Sequence, residues 1–520
     1  MQTSSIPHLD SSRLIVNGTP FIMIAGEAHN SSASSPAYME RVFAKAKSLN
    51  ANTLIVPVTW ELFEPQEGHF DSSLPCALID QARAHEMRIV ILWFGSWKNG
   101  CSSYVPEWVL RDTRRFPRAA YANGKPRDIL STLSEEGRRA DAAAFAALMR
   151  FIRDKDARHH TVVAVQVENE VGILGDTRDR SDIATRAYGA EVPHALMKFL
   201  AAHKDALHPE LVRRWGRGGF RAAGTWAEVF GEGTDANEVF SVWHYATYVN
   251  AVAKAGKDEH PLPMFVNTWL PWPGGAPGNY PTGGPVEFML DVWRAGAPDI
   301  DLFAPDIYLD DFKAICAQYV RNGNPLLVPE ANNQSDLAGA AYWTFGHHHG
   351  LCYAPFGFES IPEGHPVTDA YALLNQLAPL IGERQGTERM RGFFNQKGEL
   401  YDPAPFVMWH WKFQPKFIKG AEINGRSGFL LLQTGEDEFI AAGHGFLLMP
   451  VEAVTPGPLN FGMLSVEMGH MDRGAFLCDL RLNGDETSAN TGIHHPVNTP
   501  NLFINPTKPV MLRFRLYRYD

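Results

Sequence analysis

No apolar run in this 520-residue chain approaches the roughly 18 to 20 residues that a membrane-crossing helix needs, so no membrane association is expected. Cysteine is scarce: Cys76, Cys101, Cys316, Cys352 and Cys478 are odd in number and form no CxxC pair. That excludes a disulfide framework and a cysteine-rich zinc site. Positive charge is in deficit, with 47 Lys and Arg against 58 Asp and Glu and a net charge of −11, which argues against nucleic acid as a partner. The opening residues, MQTSSIPHLDSSRL, lack a basic stretch followed by an apolar one, so no export signal is visible. A cytoplasmic location is the expectation, with a periplasmic or secreted one the alternative if a leader had been removed. Gly274-Gly275 and Gly283-Gly284 lack a Walker lysine and a strand-to-helix setting, which argues against nucleotide binding. His347, His348 and His349 follow one another at a helix end and so point in different directions. With no second ligand cluster in sight, neither a metal nor any other cofactor is expected.

What the chain does have is apolar material for a large core, 45% of residues, and a series of short buried-strand patterns. The most informative is Thr161 to Glu170, TVVAVQVENE, an unalternating run with Val162, Val163, Val165 and Val167 that breaks into Asn169 and Glu170. Too short for a helix and apolar on both faces, it predicts a strand of a parallel sheet or barrel. Pro325 to Pro329 leads into Glu330 in the same way. Around these, Leu14 to Val16 and Pro20 to Ile24 flank Asn17-Gly18, a hairpin signal whose second arm becomes the first barrel strand. That strand ends in Gly26, Glu27, Ala28, His29 and Asn30. Further strands are predicted at 52–58, 88–94, 264–267, 302–306 and 351–356, with helices at 74–84, 239–255, 337–345 and 369–381. From about residue 386 the texture changes to short strands, such as 428–433, 439–442 and 510–517, and turns such as Asn424-Gly425 and Pro456-Gly457. The fold expected is a (β/α)8 barrel over residues 1–385, with a long insertion at about 171–263 that could wall the site or simply pack. An all-β, sandwich-like domain is expected to follow over 386–520.

Barrel chemistry gathers at the C-terminal ends of the strands. Two glutamates ending two buried strands could therefore face each other across the barrel mouth. A glycosidic bond needs a proton on a poor leaving group and stabilisation of an oxocarbenium-like centre, and a carboxyl pair supplies both. In a retaining enzyme the pair stands roughly 5 to 5.5 Å apart. On this reading Glu330 is the nucleophile and Glu170 the acid/base. Asn169 hydrogen-bonds the sugar 2-hydroxyl, and Tyr308 orients Glu330. Trp60, Trp97 and Trp269 each follow a strand end and are candidates to stack on a sugar face.

These residues carry a family resemblance. The chain is similar to the clan A retaining glycoside hydrolases, and GEAH from Gly26, NTLIVPVTWELFEPQEGHFD from Asn52 and the VENE segment resemble family 35, with features of family 42. The resemblance covers roughly residues 13 to 360. It implies a hydrolase acting on a carbohydrate substrate, a retaining exo-β-galactosidase removing terminal non-reducing β-D-galactosyl residues by double displacement. Glu27, His29, Trp60, Trp97, Asn169, Trp269 and Tyr308 are the expected substrate contacts. The alternatives are another clan A β-glycosidase or a transglycosylase, for instance on β-glucosyl units, and a non-catalytic sugar-binding barrel. A homo-oligomer is compatible with the sequence. Two departures concern the sugar rather than the chemistry. Asn30 stands where many members have tyrosine, and Phe94-Gly95-Ser96 replaces a Cys-Ala-Glu run whose Glu contacts galactose. The candidates to take over the axial 4-hydroxyl are Glu27, Glu61 and Lys98.

Overall fold

The computed structural model describes residues 6–334, 338–399, 401–418, 427–483, 486–487, 502–504 and 508–520. Eight strands close into a parallel barrel: β1 (Met23–Glu27), β2 (Thr53–Thr59), β3 (Arg88–Lys98), β4 (Val162–Asn169), β5 (Met264–Trp269), β6 (Leu302–Ile307), β7 (Leu327–Ala331) and β8 (Cys352–Pro355). The ring runs in sequence order, and β8 pairs with β1 through Cys352 and Met23. Every residue of β4 is buried, yet the strand still sorts its side chains: Val163 joins the cluster inside the ring, while Val162, Val165 and Val167 join the larger one against the helices. Both faces being dry is why the sequence shows no alternation.

The hairpin forms as its turn chemistry dictates. Arg13–Val16 pairs with Thr19–Pro20, and Asn17 and Gly18 both take positive φ, 53° and 77°. The second arm does not run on into β1, because Pro20 has no N–H to continue a ladder and the Phe21 N–H goes back to the Leu14 carbonyl at 2.8 Å. Leu14 and Val16 join the inner cluster, so the hairpin helps to plug the ring.

β3 is longer than its apolar run. Gly95 to Lys98, which read as loop, stay in the strand because the Ser96 and Trp97 N–H groups donate to Glu168 at 3.0 and 2.8 Å. The helix expected at 337–345 is Ala340–His347, displaced toward its C-terminal side. The insertion 171–263 forms helices, ending in Thr234–Glu259, which lies along Glu135–Asp156 and presses Tyr245 and Tyr248 onto Trp97.

After the helix Pro366–Arg384 the chain turns to strands. A six-stranded sheet runs from Met390–Phe394 to Ala475–Leu482, with Val510–Tyr519 inside it. A four-stranded sheet contains Phe406–Met408, Trp411–Phe417, Phe446–Ala453 and Leu502–Ile504. Between them lies a separate core that includes Trp411, Phe413, Phe429, Phe439 and Phe514. The turn predicted at Asn424-Gly425 lies outside the described residues.

Gly26, in the GEAH segment, is required by close approach. A Cβ placed there would lie 2.0 Å from Cγ of Phe358, a buried ring that cannot retreat. Gly26→Ala is expected to cost about 1–3 kcal/mol or more through overpacking. A denaturant titration unchanged from wild type would contradict this packing.

Candidate active site

The sequence rule that placed chemistry at strand ends brings one set of side chains together. β4 delivers Asn169 and Glu170, β6 delivers Asp306, β7 delivers Glu330, and Lys98 closes β3. The backbone around Glu170 is held in an uncommon form: Glu168 and Glu170 have φ of 62° and 44°, left-handed values rare for glutamate. Hydrogen bonds determine that conformation. The Glu170 N–H donates to Asn267 Oδ1 at 2.9 Å, and the Glu168 carboxyl is gripped by the β3 backbone.

One carboxyl oxygen from each of Glu170, Asp306 and Glu330 lies within 4.8 Å of the other two. Tyr308 Oη donates to Glu330 Oε2 at 2.7 Å, and the Asn169 and Asn267 amides each reach Glu330 Oε1 at 3.3 Å. Asn99 donates to Glu170 Oε2 at 2.5 Å. Lys98 Nζ holds Asn169 Oδ1 at 2.9 Å, which fixes which way that amide faces. Asn267 also donates to Asp306 Oδ2 at 2.7 Å. Beneath them Glu27 is wholly buried and turned toward Glu330. The cleft they floor is about 300 Å³ and is bordered by Asn30, Trp269, Leu270, Trp272, Leu309 and Phe356. None of its described lining comes from residues 171–263.

Protonation follows from crowding. Burial, then the charge of Glu330, raises Glu170 to about 7, against the opposing pull of Lys98 and the donors Asp306 and Asn99. Burial, and next Glu330, pushes Asp306 and Glu27 well above the usual carboxylate range. Neither Glu27 oxygen nor Asp306 Oδ1 has a hydrogen-bond partner among the described residues, so ionising either group goes uncompensated there. Burial and the neighbouring carboxylates favour the neutral form of both Glu27 and Asp306. A hard cation would find three oxygen ligands at Glu170, Asp306 and Glu330. Those groups already accept from Asn99, Asn267 and Tyr308, while Asp306 Oδ1 has no partner among the described residues.

Of the expected contacts, Asn169, Trp269 and Tyr308 stand at the cleft and Glu27 beneath it. Trp60 and Trp97 require correction as sugar platforms. Trp60 is fully buried with its indole N–H on Glu64 at 2.7 Å, and Trp97 is packed under Tyr245 and Tyr248 with its N–H on the Leu130 carbonyl at 3.2 Å. His29 does not line the cleft either. Its ring bonds Ser360 at 2.8 Å and meets Phe356 edge-on from behind. Glu61 borders a different, small pocket with Leu62 and Phe63. Sequence reasoning passed over Asn99, Asn267 and Asp306. The last two carry the signal used for Glu170, a polar residue ending an apolar strand, in Met264–Trp269 and Leu302–Ile307.

Residues 13–111 match the family model described as glycosyl hydrolases family 35. The chain resembles glycosyl hydrolases family 35. The family 35 match spans β1 to β3 and stops before Glu170 and Glu330. Residues 367–494 match a model described as a domain of unknown function, DUF5597. No curated protein matches the chain. Solved structures similar to it include a β-galactosidase from Rahnella sp. R3 (14% identity, TM-score 0.48, covering 70% of this chain and 58% of that one). Another is a β-galactosidase from Bacillus circulans sp. alkalophilus (14%, 0.47, 70% and 57%). A third comes from Halorubrum lacusprofundi (16%, 0.44, 73% and 59%). This chain thus spans less than two thirds of each.

The burial of Trp60 makes its role measurable. Trp60→Ala is expected to lower stability by about 3–5 kcal/mol, the cost of emptying a large core site. A loss of sugar affinity with stability intact would instead return Trp60 to the binding site.

Proposed function

We propose that this protein is a retaining β-galactosidase acting on terminal non-reducing β-D-galactosyl residues, with Glu330 as nucleophile and Glu170 as acid/base. The observation that carries the reading is the carboxyl pair: oxygens of Glu170 and Glu330 within 4.8 Å, near the roughly 5 to 5.5 Å of retaining enzymes and short of the wider gap that an inverting water needs. The family 35 match over residues 13–111 supports it.

The division of roles follows from the surroundings. Tyr308 and two amides donate to Glu330, which holds its carboxyl in place for attack on C1. Glu170, raised to about 7, is still protonated in a substantial fraction of molecules at neutral pH and can donate to the leaving oxygen. Attack by Glu330 expels the aglycone and leaves a glycosyl ester. Glu170, now ionised, then takes a proton from water, whose oxygen displaces Glu330. As that ester forms, the negative charge beside Glu170 disappears and its pKa falls, which suits the change from acid to base. Asn169, oriented by Lys98, is positioned for the sugar 2-hydroxyl, a contact that strengthens as the oxocarbenium ion develops.

A second reading, a clan A β-glycosidase for another sugar, draws support from one observation. Ser96, in the Phe94-Gly95-Ser96 run, spends its hydroxyl on Asp141 at 2.6 Å and Tyr248 at 2.8 Å and is fully buried. A galactose 4-hydroxyl must therefore be met by other groups. A panel of nitrophenyl glycosides decides: turnover of the β-galactoside is expected, and activity on the β-glucoside alone would replace the first reading with the second.

Glu330→Gly should abolish turnover, and azide should restore it with an α-glycosyl azide as product; a β-azide would reverse the roles. Glu170→Ala should cost ~10²–10⁴-fold on oligosaccharides, and far less on the first step with a dinitrophenyl glycoside, whose leaving group needs no acid. Since Glu170 must be protonated to donate, kcat/KM is expected to fall as pH rises through about 7. Lys98 lowers that value, so Lys98→Met should move the falling limb to higher pH. A limb that stays in place would detach the profile from Glu170.

A further inference from the structure

Next to the catalytic cleft lies a second cavity of about 600 Å³, twice the volume of the cleft. Leu270, Trp272, Tyr308 and Leu309 line both, so the two cavities adjoin. Trp272 stands where they meet. It is 58% exposed, and no ring stacks on it among the described residues, whereas Trp60 and Trp97 are buried. Leaving a large indole in water forgoes burial energy and keeps its face available to a ligand.

The segment that carries Trp272 is stiff. Pro271 and Pro273 flank it with fixed φ, Gly274 turns the chain at φ 79°, and the Gly275 N–H closes back on the Trp272 carbonyl at 2.7 Å. A platform held by a turn loses little freedom on binding. It follows β5, next in the ring to β4, which delivers Glu170. Whatever leaves with the proton from Glu170 departs into this neighbourhood. The second cavity pairs apolar area from Phe288 and Ile315 with hydrogen-bonding groups from Glu287, Asp310 and Gln318, and its described lining holds no lysine or arginine. Apolar faces beside hydrogen-bonding rims match a pyranose, which has C–H groups on its faces and hydroxyls around its edge. The acidic lining repels sulfated and uronic sugars.

We propose that this cavity is the binding region for the leaving half of the substrate, a neutral oligosaccharide of two or more sugars, and that Trp272 is its stacking platform. The inference rests on the glycosidase reading and adds the substrate class: the terminal sugar is removed from a chain, not from a small aglycone. Trp272 is a specificity-determining residue, beyond the carboxyl cluster that performs the chemistry.

The test compares kcat/KM on 4-nitrophenyl β-D-galactoside, β-1,4-galactobiose and β-1,4-galactotetraose for wild type, Trp272→Ala and Trp272→Phe. In the wild type kcat/KM is expected to rise at least tenfold from the disaccharide to the tetrasaccharide. Trp272→Ala should flatten that rise, losing at least ten times more on the tetrasaccharide than on the aryl glycoside, while Trp272→Phe retains most of it. No chain-length rise in the wild type, or a rise that survives Trp272→Ala, overturns the subsite and leaves the glycosidase reading standing. Failure to turn over any nitrophenyl glycoside overturns the glycosidase reading, and the subsite with it.

Discussion

Four carboxyl groups and one ammonium group share the mouth of the barrel, and their repulsion is the constraint the rest of the site answers to. Two unit negative charges 4.8 Å apart repel by roughly 3.5 kcal/mol at an effective dielectric near 20. Ionising all four groups, Glu27, Glu170, Asp306 and Glu330, together is therefore disfavoured. The proton count is set by depth. Glu27 and Asp306, both buried, are the most strongly biased toward the neutral form, against Lys98 at Glu27 and the Asn267 amide at Asp306. Glu330, which takes Tyr308 and two amides, is the group best supplied with donors. Glu170 is left at the margin, near 7, where gaining or losing a proton costs least. The asymmetry between the two central glutamates is thus a property of the cluster and not of either residue alone.

Below this cluster a second buried pair does the mechanical work. Asp141 and Glu168 are both desolvated and both held above the ordinary range by burial. Together they take the Trp93 indole, the Ser96 hydroxyl and the backbone N–H groups of Ser96 and Trp97. That locks the end of β3 to the end of β4, which aligns Lys98 with Asn169 and obliges Glu168 and Glu170 into left-handed φ. Gly95 belongs to this arrangement, since a Cβ there would lie 2.4 Å from the Trp93 indole nitrogen and 2.6 Å from a Glu168 oxygen. The change to Phe94-Gly95-Ser96 at this strand end thus goes with a buried network that locks the strand tip and leaves Ser96 no free group for a sugar.

How much of this was legible follows from where the information resides. Glu170 and Glu330 stand out because a parallel strand buried on both faces writes a continuous apolar run, and a carboxylate that ends such a run has no structural reason to be there. Asn267 and Asp306 carry the same mark and could have been read with them. Trp60 and Trp97 could not be told apart from a cleft-lining Trp269, since a tryptophan after a strand reads identically whether it turns inward or outward. What decides is remote: Glu64 for Trp60, and Tyr245 and Tyr248 from the insertion for Trp97. Protonation was illegible for the same reason, because it belongs to distances between residues far apart in the chain.

The C-terminal sheets contribute nothing to the described cleft lining, but they are not remote from its mechanics. The helix Ala340–His347 follows β7, the strand that ends in Glu330, and it rests directly on the β-module through backbone contact. A Cβ on Gly392 would fall 2.1 Å from the Tyr342 carbonyl oxygen, one on Gly346 2.2 Å from Leu430, and one on Gly428 2.8 Å from the Tyr342 ring. Three glycines on opposite sides of one seam leave no gap that a side chain could fill, and close-packed backbone transmits position with little give. Lys313, on the helix after β6, adds an ion pair to Glu399 across the same seam at 2.6 Å. The helices after β6 and β7, whose strands carry Asp306 and Glu330, are therefore seated on the second module. A side chain that must stay within a few tenths of an ångström of one place gains from such a footing, which the described residues of the all-β part supply without lining the cleft.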